Sequence, residues 1–271
     1  MKKIFLLSLL ILVSPVFSCS IFYYVDSITG HIYVGNNEDY WYNVKAYIQL
    51  EPRDEKELAR LWYGWDDFAQ GGINEAGLFF DGAVTPNQPT VLGYNKPKKG
   101  NLGDELLATC KNVEEVIWLL EEKKIAILNA HILVGDSTGN AAVIEWVNGS
   151  RVITPIQQGR LVMTNFLLAD TTQGNYPCSR FSSINHYFDK LNSSEDSLTF
   201  LSVSNALGGA AQPVFKDEKG KEGGTLYSSF IDITSMKFVM VYKLDNTRII
   251  QFDLKNEFTL TKKKKIFLKK I

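Results

Sequence analysis

Histidine and cysteine are scarce in this 271-residue chain, and their scarcity narrows its chemistry. Only His31, His131 and His186 occur, and none stands at metal-ligand spacing from another histidine or a cysteine, so no metal site is expected. Cysteine is limited to Cys19, Cys110 and Cys178, an odd number that leaves a free thiol even in an oxidising compartment. Cys110 and Cys178 could pair there, but both read more simply as small buried residues. An excess of one charge is also missing. The 29 Lys and Arg face 30 Asp and Glu, a net of −1, which lacks the basic footprint of a nucleic-acid binder. The apolar run Ile4 to Val13, interrupted only by Ser8, falls short of the about 20 residues that a membrane-spanning helix needs.

That short run has another reading. Met1-Lys2-Lys3 gives it a basic start, Pro15 breaks it, and Ser18 is a small residue at a cleavage position. Residues 1–18 therefore read as a secretory signal peptide. Residues 19–271 hold no repeat or linker-like stretch and are expected to form one domain of a periplasmic or secreted protein. Cutting after Ser18 leaves Cys19 first, with thiol and α-amine on one residue as nucleophile and base. The same position suits the lipid anchor of a bacterial lipoprotein, although bulky Phe17 fits that signal poorly. A lipidated Cys19 would hold a catalytically silent binding protein at a membrane. On these residues alone both readings stand.

From Ser20 the pattern is that of strands. Ile21–Val25 and His31–Gly35 flank the turn Asp26-Ser27-Ile28-Thr29-Gly30, a hairpin that would pin Cys19. Further strands are predicted over Tyr47–Leu50, Ala59–Tyr63, Leu78–Ala83, His131–Gly135, Ala141–Val147, Arg151–Pro155, Leu161–Thr164, Thr225–Ile233, Phe238–Tyr242 and Arg248–Leu254. Helix is predicted from a cap at Asp104, with Val113, Val116, Ile117 and Leu120 on one face. Two more helices come after it, one with Phe181, Ile184, Phe188 and Leu191 on one face and one near Ser194 to Leu207. Lys216–Glu222 reads as a surface loop. The lysine-rich end, Lys262 to Lys270, reads as a solvated terminal strand or frayed end before a patch for an anionic membrane. Segregated runs of strands and helices point to an α+β fold on large antiparallel sheets.

Asp39, Asn165 and Arg180 each have an ordinary reading alone, as a loop acid, a turn amide and a helix-opening cation. Their order along the chain says more. Cys19, Asn37-Glu38-Asp39, Gly72-Ile73-Asn74-Glu75-Ala76-Gly77-Leu78, Gly135-Asp136-Ser137-Thr138-Gly139 and Val143-Ile144-Glu145-Trp146 come in sequence. Met163-Thr164-Asn165, Ser179-Arg180-Phe181 and Thr225-Leu226-Tyr227-Ser228-Ser229 continue the series. This ordered set resembles the linear amide C–N hydrolases, the choloylglycine hydrolase and penicillin V acylase group of N-terminal-nucleophile hydrolases.

The resemblance implies a four-layer αββα sandwich, a cofactor-free reaction and a small-molecule N-acyl amide substrate. Bile-salt conjugates, penicillin V, N-acyl homoserine lactones and N-acyl amino acids all remain open, and so does transfer of the acyl group to an amine. It casts Cys19 as nucleophile, Asp39 as the group holding its amine, and Asn165 with the backbone N–H at Val84 as oxyanion donors. Arg180 would sit near the thiol and favour thiolate. Asn36, Trp41 and Val84 would contact substrate. Asn36 stands where the family has arginine, which should raise the thiol pKa and alter which polar group of the substrate is held. The short chain leaves open the tetramer common in the family, so a homo-oligomer is a possibility only.

Overall fold

A computed structural model describes residues 19–97, 101–193 and 198–271. The signal peptide over 1–18 and the expected helix start at Ser194 lie outside the described residues.

One antiparallel sheet runs in the order β10-β1-β2-β12-β13-β14. Its strands are β1 (Ser20–Val25), β2 (Ile32–Trp41), β10 (Arg160–Met163), β12 (Glu222–Asp232), β13 (Lys237–Tyr242) and β14 (Ile249–Asp253), with β11 (Phe215–Lys216) appended to β12. The second sheet runs β15-β3-β4-β5-β6-β7-β8-β9. It comprises β3 (Tyr47–Glu51), β4 (Arg60–Trp65), β5 (Phe68–Asn74), β6 (Phe79–Val84), β7 (Ala130–Gly135), β8 (Ala141–Val147), β9 (Ser150–Pro155) and β15 (Lys264–Phe267).

Apolar side chains of both sheets, among them Ile21, Val34, Leu61, Phe79 and Met163, fill the space between them. Helices α1 (Leu102–Thr109) and α2 (Val113–Glu122) bury Leu106, Val116 and Leu120 against the outer face of the second sheet. Helices α3 (Ser179–Asn192) and α4 (Phe200–Ser204) do the same for the first sheet through Ile184, Phe188 and Val203. The layers are helix, sheet, sheet, helix, the α+β sandwich that the resemblance implied.

Several boundaries differ from expectation for local reasons. The helix expected from Asp104 is two helices. Asn101 caps the first by accepting the Asp104 N–H at 3.3 Å, and Asn112 caps the second by accepting the Glu115 N–H at 2.9 Å. Asp104 instead takes an ion pair from Arg60 at 2.6 Å. Strand β5 was not expected; its sequence, FAQGGIN, carries two adjacent glycines and little alternation. The lysine-rich end is strand β15 on the edge of its sheet, with Lys263 on Glu51 at 2.8 Å and Lys265 on Asp67 at 3.2 Å. The cysteines are all free and buried, so Cys110 and Cys178 do not pair.

Strand β2 is flanked by β1 and β12, so its polar run Asn36-Asn37-Glu38-Asp39 is buried inside a sheet. Strands β5 and β6 pair only from Ile73↔Phe79 to Gly71↔Asp81, then part. The first arrangement brings polar groups to the N-terminal end of β1, and the second opens a way in to them.

Candidate active site

Cys19 directly precedes β1, which is held on both sides. Ser20 pairs with Asn37 of β2, and Ile21 pairs with Met163 of β10. Continuing those registers puts Glu38 on one side of Cys19 and Asn165 on the other. The side chains meet accordingly. The Cys19 thiol donates to Glu38 Oε1 at 3.4 Å. Arg180, in the first turn of α3, donates through Nη1 to the Cys19 carbonyl at 2.5 Å and to Ser20 Oγ at 2.6 Å. Its Nη2 donates to Asn165 Oδ1 at 3.2 Å, while Asn165 Nδ2 donates to the Val84 carbonyl at 2.9 Å. The guanidinium can only donate, so it settles which end of the Asn165 amide is oxygen and turns the N–H end toward Val84.

Acids crowd the thiol. Asp39 Oδ1 accepts from Thr225 at 2.6 Å, and its Oδ2 is buried without a hydrogen-bond partner among the described residues. Burial pushes Asp39 up to about 8, against the pull of Thr225 and Arg180, and pushes Glu38 up to about 7. Asp81 on β6 is also raised, by burial first and by Glu38 next; it accepts from Tyr63 at 2.8 Å. The Cys19 thiol is held well above its ordinary value by burial and by the charges of Glu38, Asp39 and Asp81. Arg180 was expected to favour thiolate. It donates to the backbone carbonyl of Cys19, and the side chain that the thiol itself meets is Glu38.

The cleft in front of Cys19 has a volume of 930 Å³. Cys19 and Glu38 lie on its wall, it opens where β5 and β6 part, between Gln70 and Gly82, and it extends to Leu102 and Leu106 of α1. Val84 lies on this wall with its side chain 59% exposed. Asn36 and Trp41 do not. Asn36 is fully buried and donates to Glu38 Oε2 at 3.4 Å, and Trp41 packs on Phe215 beneath Lys221. Among the described residues no group of three His, Cys, Asp or Glu could hold a metal ion.

Four polar residues near the site were not singled out from sequence: Glu38, Asp81, His131 and Glu145. His131 and Glu145 are both buried and meet at 2.7 Å; His131 Nε2 donates to the Thr164 carbonyl at 2.6 Å. Glu145 also accepts the N–H groups of Leu168 at 2.8 Å and Ala169 at 2.9 Å. The pair thus grips the segment carrying Asn165 on both sides. The hairpin of β7 and β8 held the signal, because a register pairing Ile132 with Ile144 sets His131 opposite Glu145. Gly135-Asp136-Ser137-Thr138-Gly139 has the letters of a serine-nucleophile turn, but it joins two strands, and Ser137 Oγ donates to Ala76 O at 3.1 Å.

Residues 29–247 match the family model of the acyl-coenzyme A:6-aminopenicillanic acid acyl-transferases. In fold the chain is similar to a variant of conjugated bile acid hydrolase from Clostridium perfringens, with a TM-score of 0.73 and 18% identity over 91% of this chain and 96% of that one. It is similar likewise to penicillin V acylase from Agrobacterium tumefaciens, with a TM-score of 0.71 and 18% identity over 91% and 90%. No curated protein matches by sequence. These likenesses show the two-sheet fold of the N-terminal-nucleophile hydrolases.

Proposed function

The chain belongs to the acyl-coenzyme A:6-aminopenicillanic acid acyl-transferase family, and from that premise we propose that it cleaves the linear C–N amide bond of an N-acyl small molecule with Cys19 as nucleophile. The observation that carries this reading is the Cys19 thiol on the wall of a 930 Å³ cleft, with Asn165 and Arg180 bonded to each other beside it. Removal of residues 1–18 during export to the periplasm or medium frees the Cys19 amine. Asp39 Oδ2, a buried acceptor with no partner among the described residues, suits that ammonium.

Attack of sulfur on the substrate carbonyl puts negative charge on its oxygen. The Asn165 amide and the Val84 N–H are the donors assigned to that charge. Collapse expels the amine and leaves a thioester, which water opens. The acyl group faces apolar wall at Phe68, Phe80, Leu106 and Ile132, which suits a hydrophobic acyl chain. Bile-salt conjugates, penicillin V, N-acyl homoserine lactones and N-acyl amino acids remain the candidates. Passing the acyl group to a second amine instead of water is the second reading, favoured by the acyl-transferase family that the chain matches.

Intact mass and N-terminal sequencing of the exported protein, before and after exposure to a panel of N-acyl amides, test this. A chain starting at Cys19 that gains one acyl mass on that residue is expected; added hydroxylamine then separates transfer from hydrolysis. A lipid-modified Cys19, or acyl groups elsewhere, overturns the proposal.

A further inference from the structure

When sulfur attacks, the thiol proton needs an acceptor. The geometry points to Glu38 as the group that takes it: Glu38 is a catalytic carboxylate for this site, in addition to the amine of Cys19. The proposal rests on Cys19 being the nucleophile. Its basis is the S–H donated to Glu38 Oε1 at 3.4 Å, on the wall of the same cleft. Behind Glu38 a chain of buried groups runs between the sheets. Asn36 Nδ2 donates to Glu38 Oε2 at 3.4 Å, Tyr63 donates to Asp81 at 2.8 Å, and Ser229 donates to Tyr63 at 3.0 Å. Asn36 also acts on Asp81, lowering its pKa against the effect of burial, and among the described residues Asp81 Oδ1 is buried without a hydrogen-bond partner.

The groups facing Glu38 come from five strands or strand ends. They are Cys19 before β1, Asn36 and Asp39 on β2, Tyr63 on β4, Asp81 on β6 and Tyr227 on β12. Arg180 acts on Asp39. Buried carboxyls this near to one another do not all ionise together near neutral pH, and Glu38, raised to about 7, sits where it can accept or hold a proton.

The step balances. The S–H bond breaks and an O–H bond forms on Glu38. The sulfur pair bonds the amide carbon, and the C=O π pair moves onto oxygen. On collapse the C–N bond breaks, and the departing nitrogen takes the proton from Glu38. Water then adds to the thioester carbon and gives a proton to Glu38, which returns it to sulfur as the thiolate leaves. The sum is amide plus water to acid plus amine.

A test without substrate reads the sign directly. The rate of Cys19 carbamidomethylation by iodoacetamide is followed by peptide mass spectrometry from pH 5 to 9, with Cys110 and Cys178 as internal references. The wild-type rate is expected to show an inflection near pH 7, where Glu38 ionises. Glu38→Gln loses that inflection and slows at least tenfold at pH 7.5, and Glu38→Asp restores part of both. A carboxylate that merely repels thiolate gives the opposite result, because its removal lowers the thiol pKa and speeds alkylation. Faster or unchanged alkylation in Glu38→Gln therefore overturns the proposal. If that variant does not fold, the wild-type profile decides, and an inflection only above pH 8 overturns it. Normal Glu38 behaviour with no amide turned over would refute the hydrolase reading alone.

Discussion

Replacing His131 with leucine should cost the protein about 1–3 kcal/mol, the range for leaving a buried hydrogen-bonding group without its partner. The structure supplies the reasons. His131 and Glu145 are both fully buried, and His131 Nε2 is 2.6 Å from the Thr164 carbonyl. Leucine fills most of the space but leaves Glu145 with only the N–H groups of Leu168 and Ala169, and leaves Thr164 O without its donor. For a domain of this size that loss lowers Tm by about 2–6 °C. Urea unfolding followed by the fluorescence of the five tryptophans measures it. Because Asn165 comes directly after Thr164, kcat should also fall while KM stays near the wild-type value. A destabilisation below about 1 kcal/mol would refute the reasoning, since it would mean that Glu145 and the Thr164 carbonyl do not need the His131 contacts.

Other outcomes are expected at the same site. Asn165→Ala should lower kcat about 10²–10³-fold, the usual cost of one oxyanion donor, with little change in urea midpoint; an unchanged kcat removes Asn165 from that role. Glu38 holds its proton to about pH 7 in the fold but only to the ordinary carboxylate range unfolded, so its contribution to stability falls as pH rises between those values and is level above. Glu38→Gln should therefore gain on wild type by about 1.4 kcal/mol per pH unit in that window; a difference independent of pH between 5 and 7 contradicts this. Gly71→Ala would set a methyl 2.1 Å from Asp81 Oδ2 and 2.7 Å from the Tyr63 hydroxyl. It should cost about 1–3 kcal/mol and reduce activity, measured together by melting and turnover, and a neutral variant would show that the Asp81–Tyr63 contact is free to move.

The sheets were largely legible because their strands alternate and their turns are spelled out. The hairpin around Asp136–Asn140 is the clearest case, since a β7–β8 register comes with it. Helix α1 is hard to bound from sequence because two asparagines, Asn101 and Asn112, cap two helices, while Asp104 looks like a cap in isolation. Strand β5 is not legible in the sequence because its glycines carry no pattern; at Gly71 and Gly72 a side chain would strike Asp81 or the β4 backbone. At the site, Cys19, Asn165 and Arg180 were legible as a set, and the structure bonds the latter two to each other. Asp39 was named with them, whereas Glu38 and Asp81, the other acids that act on the thiol, were not. A run of polar letters in Asn36-Asn37-Glu38-Asp39 looks like a loop until β12 is known to cover β2 from the other side.

The parting of β5 and β6 has a further effect on how this molecule can change. Cys19, Glu38, Asn165 and Arg180 hang from the first sheet and the helix packed on it, whereas the cleft beyond Cys19 and Glu38 is built from the second sheet, α1 and their loops. On the proposed function, the reacting groups, the Val84 N–H on β6 excepted, and the surface that selects the guest thus belong to different halves of the sandwich. Residues along the split, such as Gln70, Gly82 and Leu106, can be exchanged to admit a longer or bulkier guest without disturbing the strands that aim the sulfur. One half is a stationary anvil, and the other is an interchangeable die.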